Sequence, residues 1–209
     1  MKTLFFIRPF YAITLLSFLL IWYSSNLYAT HNRAGEITYA TAPLAGQPYR
    51  YVFTITTYTK IQGGGASAAD RDSIDIDFGD GTPIQQAPRT NGNNNEGEAV
   101  GNNIKKNVYL IDHTYPAPFD YVVSVTDPNR INEIINIRSG ASVEIPFFLQ
   151  DTIFFRDPQF FGFNSSPILL QPPIDYANVG YTFIHNPNAF DLDGDSLFFE
   201  LIPPKQSIV

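Results

Sequence analysis

Residues 73–78, Ser73-Ile74-Asp75-Ile76-Asp77-Phe78, alternate polar and apolar side chains without a break. A β-strand repeats every two residues, so this run describes a strand with one buried face and assigns Ile74, Ile76 and Phe78 to it. Gly79-Asp80-Gly81-Thr82 follows at once. Glycine tolerates positive φ and aspartate can bond its own backbone, so the chain is expected to turn there. A second run, Tyr121-Val122-Val123-Ser124-Val125-Thr126, is rich in β-branched and aromatic residues and is closed by Asp127-Pro128-Asn129. Two more strands are expected at residues 36–39 and 49–58, the latter placing Tyr49, Tyr51, Phe53 and Ile55 on one face. Further strands are expected at 133–137, 142–149 and 181–184. Residues 61–69 and 90–103, rich in Gly, Ala, Ser and Asn, are read as solvated loops. Beyond the N-terminus no segment of ten or more residues carries apolar side chains at helical spacing, so the fold class is all-β.

The turn Asp77-Phe78-Gly79-Asp80-Gly81 is followed by His113-Thr114-Tyr115 and then by Tyr121, Val123, Val125 and Asp127 at alternate positions. Together these elements resemble the polycystic-kidney-disease (PKD) domain, over roughly residues 35 to 130. The aromatic residue often found before the turn is Ile76 here, and Pro118-Phe119-Asp120 replaces the usual glycine near the second turn. The resemblance implies an immunoglobulin-like β-sandwich and an extracellular, non-catalytic module of adhesion, surface display or substrate presentation. It also implies a structural hydrogen-bonding role for His113 against the turn.

At the N-terminus, Lys2 and Arg8 precede a mostly apolar run from Phe10 to Tyr23, and Ala29 ends a short polar stretch. This is the layout of a secretory signal over residues 1–29, and the run falls short of the ~20 residues that span a bilayer. Secretion to the cell surface, without a membrane span after cleavage, is therefore expected. Loss of Lys2 and Arg8 moves the formal charge from -7 to -9. So acidic a chain lacks the cationic surface that neutralises phosphates, which argues against nucleic acid as a partner. Cysteine is absent, which removes disulfides, thiolate metal sites and cysteine nucleophiles from consideration. The fold must then rely on its core or on a metal.

Asp191-Leu192-Asp193-Gly194-Asp195 places three carboxylates at alternate positions around a glycine. Ca2+ takes six to eight hard oxygen ligands, so Asp191, Asp193 and Asp195 are the candidate metal ligands and Ca2+ the candidate cofactor. An EF-hand beginning at Asp191 would need Gly and Glu where Ser196 and Ile202 stand, which rejects that motif. The rival reading is a solvated turn held by aspartate hydrogen bonds to its own backbone. Residues 186–197 resemble the opening of bacterial cadherin-like repeats, in which such a turn carries calcium at a domain junction. Residues 30–36 resemble the start of surface proteins associated with gliding motility in Bacteroidetes-type bacteria. The organisation expected is a PKD-like sandwich with extensions over 30–165, followed by a partial cadherin-like or immunoglobulin-like repeat over 166–209. The latter is too short for a sandwich of about 100 residues and should lack a closed core.

Asp75, Asp77 and Asp80 form a second acidic group, read first as turn chemistry. His31, His113 and His185 have no local zinc-pair spacing. Neither Gly-x-Ser-x-Gly nor His-Glu-x-x-His occurs, so the chain is read as no enzyme, and it has no candidate catalytic residue. The expected partner is a cell-surface protein or glycan. The alternative is a glycan-binding accessory module of a secreted hydrolase, whose aromatic side chains would be exposed.

Overall fold

The computed structural model describes residues 32–61, 71–132, 134–155, 158–173 and 177–206. The signal reading of residues 1–29, His31 and most of the 61–69 loop lie outside them. The described chain is built from antiparallel β-strands with short 3-10 turns and one four-residue helical turn, Pro158–Phe161. Among the described residues no helix is long and apolar enough to cross a membrane.

One sheet contains β1 (Asn32–Thr41), β2 (Arg50–Lys60), β5 (Glu98–Gly101) and β6 (Ile104–Thr114), in the order β1-β2-β6-β5. The facing layer is made of two hairpins. β3 (Ser73–Ile76) pairs with β4 (Gln85–Pro88), and β7 (Tyr121–Asp127) pairs with β8 (Phe147–Ile153). Asp77 and Ser124 join them by exchanging both backbone hydrogen bonds at 2.9 Å, so the layer runs β4-β3-β7-β8.

Alternation within each strand sends one set of side chains between the layers. Phe53 and Ile55 from β2, Ile74 and Ile76 from β3, Val123 and Val125 from β7, and Ile153 from β8 meet there with Phe78 and Tyr115. Each contributes about 1.5–3 kcal/mol relative to exposure, if its side chain is fully buried. A core of this size supplies what disulfides supply in smaller exported domains. The expected burial of Ile74, Ile76 and Phe78 is observed, as is that of Tyr51, Phe53 and Ile55.

Several local expectations are corrected. The 90–103 segment is not all loop, because it holds β5 and a 3-10 turn at Asn93–Asn95. In β6, central to its sheet, burial alternates from Asn107 onward but hydrophobicity does not follow it: the polar Asn107 is buried while Leu110 is exposed, and this hides the strand. Residues 134–137 form turns instead of a strand, despite three isoleucines. There the Ser142 hydroxyl accepts from the Ile134 N–H and donates to the Ile131 carbonyl. The Arg130 guanidinium holds the Ile145 and Pro146 carbonyls, so side chains do the work of a ladder. The expected 142–149 strand begins with the 3-10 turn Ser142–Glu144 and pairs only from Phe147 onward. Residues 181–184 are not a strand.

Among the described residues beyond 165 the only ladder joins β9 (Ile168–Leu169) to β10 (Ala189–Phe190). Among the described residues 166–206 no apolar side chain is buried; Phe198 and Leu201 are 86% and 99% exposed. This arm meets the sandwich at β1, where Ser166 and Tyr39 are hydrogen-bonded through their backbones and through the Ser166 hydroxyl.

Candidate functional site

The first acidic turn is consumed by the fold. Asp77 Oδ1 accepts from the Gly79 N–H at 2.9 Å, which bends the chain out of β3. Gly79 has φ of +72°, and any Cβ there would collide with the Val122 carbonyl, so glycine is required by both conformation and contact. Asp80 Oδ1 accepts from the Thr82 N–H at 3.0 Å and the Thr82 hydroxyl at 2.6 Å, while Oδ2 meets His113 Nε2 at 2.7 Å. Both side chains are buried, Asp80 to 1% exposure. Burial opposes ionisation of Asp80, but the Thr82 and His113 hydrogen bonds outweigh it and hold the carboxyl below its ordinary range. The His113 ring stacks on Phe78 at 3.9 Å, and the Tyr115 hydroxyl donates to the Phe78 carbonyl. Asp75 and Asp77 are exposed and do not join Asp80 in a cluster.

The second acidic turn is held differently. Asp191 Oδ1 accepts from the N–H groups of Asp193 (2.9 Å) and Asp195 (3.0 Å), folding the turn around a buried aspartate. Asp193 Oδ2 accepts from the Ser165 N–H at 2.6 Å and ties the turn to the base of the arm. Asp195 instead lines a cavity of about 360 Å3 with Phe154, Phe161, Gly162 and Asn164. Thus the structure brings Asp191, Asp193 and Asp195 onto one turn. Among the described residues, however, no group of three or more His, Cys, Asp or Glu side chains converges on a point where an ion would sit. As arranged, two of the oxygens a calcium ion would take already accept backbone hydrogen bonds. The His185 ring stacks against Phe183.

Two polar features were missed in the sequence. At one end of the core, Arg89 is buried and donates to Asn107 Oδ1 (3.1 Å), to the Asn95 carbonyl and to Asp72; Asn107 in turn donates to Thr57 and Thr59. Nothing in a single arginine within Ala87-Pro88-Arg89 announces such a network. The second feature is Asp151 on β8. It shares the parity of Phe147, Leu149 and Ile153, the apolar side of the strand, and that parity was a usable signal. Burial pushes its carboxyl up to about 6, only partly offset by the Thr152 N–H that donates to Oδ1. The Tyr39 phenol is raised as well, first by burial and then by the adjacent Asp151 charge.

Compared with known proteins, the chain matches no family model, no curated protein and no solved structure.

Proposed function

We propose that this chain is a non-catalytic, extracellular structural or adhesive module of a bacterial surface protein, built on a PKD-type immunoglobulin-like sandwich. The observation that carries this reading is the clamp of Asp80, His113 and Tyr115 around Phe78. The residues of the Asp-Phe-Gly-Asp-Gly and His-Thr-Tyr elements are engaged with each other and serve the fold. Strand order adds support. β1-β2-β6-β5 opposite β4-β3-β7-β8 corresponds to the A-B-E-D and C′-C-F-G arrangement of immunoglobulin sandwiches. Brief protease treatment of intact cells tests the reading. A surface module is removed without lysis, and its loss lowers attachment to a surface or to other cells; protection of the chain in intact cells refutes the location.

Ca2+ enters this reading as a ligand of Asp191, Asp193 and Asp195 that would have to draw their free oxygens together. The residues have the right hard-oxygen chemistry, and binding would stiffen the arm. Thermal unfolding of residues 30–209 in EDTA, titrated with Ca2+ and with Mg2+ as control, tests it. A native-state ligand at 100 times its Kd adds about 2.7 kcal/mol, so a rise specific to Ca2+ and lost in Asp191→Asn supports the site. A flat titration removes it.

A second reading, the glycan-binding accessory module, is favoured by one observation. Phe154 and Phe161 are exposed beside Asn164 and Asp195 around the 360 Å3 cavity, an apolar face with polar groups that sugars also use. Affinity electrophoresis against soluble polysaccharides tests it, with retardation abolished by Phe161→Ala.

A further inference from the structure

The arm is seated on the edge of β1 by polar contacts. The Ser166 N–H donates to the Tyr39 carbonyl at 2.9 Å, and the Tyr39 N–H donates to the Ser166 hydroxyl at 2.8 Å. Farther along, the Leu169 N–H donates to the Glu36 carboxylate. Among the described residues 166–206 no buried apolar side chain reinforces this seam. Segments held in this way open at a lower cost than the core they rest on.

Between arm and sandwich lies a cavity of about 340 Å3, to which the arm contributes Ser166, Pro167 and Leu169, β1 contributes Glu36 and β8 contributes Asp151. Asp151 shares the inward parity of Leu149 and Ile153, and its Oδ1 accepts from the Thr152 N–H at 2.7 Å. Burial raises its carboxyl to about 6. Glu36 is raised as well, first by burial, against the attraction of Lys106 on β6 and the bond from Leu169. Other groups at the seam offer Asp151 no counter-charge. Asp193 of the arm acts on the Tyr39 phenol with the same sign as Asp151, and that phenol, bonded by the Asn164 side chain, is itself raised by burial and stays neutral. Tyr51 on β2 stays neutral too, its phenol pushed up to about 12 by burial. From β7 the residue opposite Asp151 is the uncharged Val123. A charge formed on Asp151 thus meets like charges beneath a lightly held segment.

We propose that the arm is a strap that seats over Asp151 in acid and lifts as the medium becomes neutral, uncovering the cavity between β1 and β8. Lifting admits water to the carboxylate and removes the desolvation that opposed its charge. A carboxyl that titrates higher under the seated strap favours the seated state when protonated. Seating is therefore strongest below about pH 4 and weakens as pH rises through about 6. Glu36 works in the same direction. Return of the Asp151 carboxyl from about 6 to its ordinary 3.8 raises the ratio of lifted to seated arm about a hundredfold, at tenfold for each pH unit. The strap goes beyond the adhesion reading and depends neither on it nor on calcium.

The test is residue-resolved amide exchange of the protein in EDTA at pH 4.5 and 7.5, with each rate divided by the intrinsic rate at that pH. Protection at Ser166 and Leu169 should fall about fivefold or more between the two values, and at pH 7.5 it should lie below that of Phe53, because the arm opens without the core. In Asp151→Asn the fall should shrink to about twofold or less, with protection close to the acid level at both pH values. Equal protection of the parent at the two pH values overturns the proposal. A fall of the same size in Asp151→Asn also overturns it, since another group then drives the change. If Ser166 exchanges as slowly as Phe53 at both pH values, the arm does not lift apart from the core and the proposal fails. Should Asp151→Asn not fold, carbon NMR of the parent decides: an Asp151 carboxyl that titrates near 6 together with the fall at Ser166 supports the strap, and one that titrates in the ordinary carboxylate range overturns it.

Discussion

The two acidic turns are near-anagrams, Asp77-Phe78-Gly79-Asp80-Gly81 and Asp191-Leu192-Asp193-Gly194-Asp195, yet they sit in opposite surroundings. In the first, the residue after the leading acid is Phe78, which is 1% exposed and anchors the turn in the core. In the second it is Leu192, which is 58% exposed and anchors nothing. Both use an aspartate to fold the backbone two residues on, so local turn chemistry is shared. What differs is the fate of the remaining carboxylates: Asp80 is enclosed by Thr82 and His113, whereas Asp195 faces a cavity. The apolar neighbour, more than the acids, decides which turn is anchored in the core and which is not.

The largest expected effect breaks the first turn. Asp80→Ala removes an enclosed carboxylate and leaves His113 and the Thr82 N–H without their partner, at a cost of about 3 kcal/mol. Asp191→Ala removes a turn-capping carboxylate from a segment with no buried apolar side chain, and about 1 kcal/mol or less should register globally. Urea unfolding of both variants checks the contrast, and equal costs would dissolve it. Because the Asp80 carboxyl is held below its ordinary value, its stabilisation is present above about pH 4 and fades as pH falls through its folded value.

Glycine sharpens the same contrast with smaller numbers. Gly79 and Gly194 both have positive φ, +72° and +83°, so alanine strains either backbone by about 1 kcal/mol. Only at Gly79 does a Cβ also meet a backbone carbonyl, that of Val122, while nothing lies within 4 Å at Gly194. Gly79→Ala should therefore cost about 2 kcal/mol or more, and Gly194→Ala about half that, read from denaturant midpoints.

A third carboxylate, Asp151, reverses the sign. Its pKa is raised to about 6 by burial, so it favours the fold when protonated and loses that contribution as pH climbs from about 4 through 6. Asp151→Asn should stabilise the protein by about 1–2 kcal/mol at pH 7.5 and leave it nearly unchanged at pH 4. Thermal melts at the two pH values check this.

The sequence disclosed the strands whose burial follows a clean two-residue alternation. β3, β7 and the first half of β2, as far as Ile55, were legible for that reason, and so was the turn after Phe78, because glycine and aspartate carry local rules. β6 was not legible, since Asn107 occupies a core position for the sake of Arg89, Thr57 and Thr59, contacts made across 18 to 50 residues. The isoleucines at 134–137 misled because propensity was overruled by Ser142 and Arg130. At the candidate sites, the identity of the Asp191 turn could be read from spacing, but its engagement with Ser165 could not. Asp151 was visible only as one acid at the wrong parity, a signal that needs the strand boundaries first.

The smallest effect separates the arm from the sandwich. Asp193 is exposed, and its bond from the Ser165 N–H joins two segments whose apolar side chains are unburied. Removing it should leave global unfolding within about 0.5 kcal/mol of the parent, since surface changes away from the core seldom exceed that. Locally the loss should be plain, because stability in a protein is not uniform and weakly packed segments open on their own. Asp193→Ala should thus speed amide exchange at Ser165, and then at Ser166 if the arm lifts from β1 as a unit, with Phe53 and Val123 unmoved. If Ser166 keeps its protection, the β1 contact stands alone, and the acidic turn is a passenger on the arm; if Phe53 also loosens, the arm belongs to the cooperative core and the division between the two turns fails.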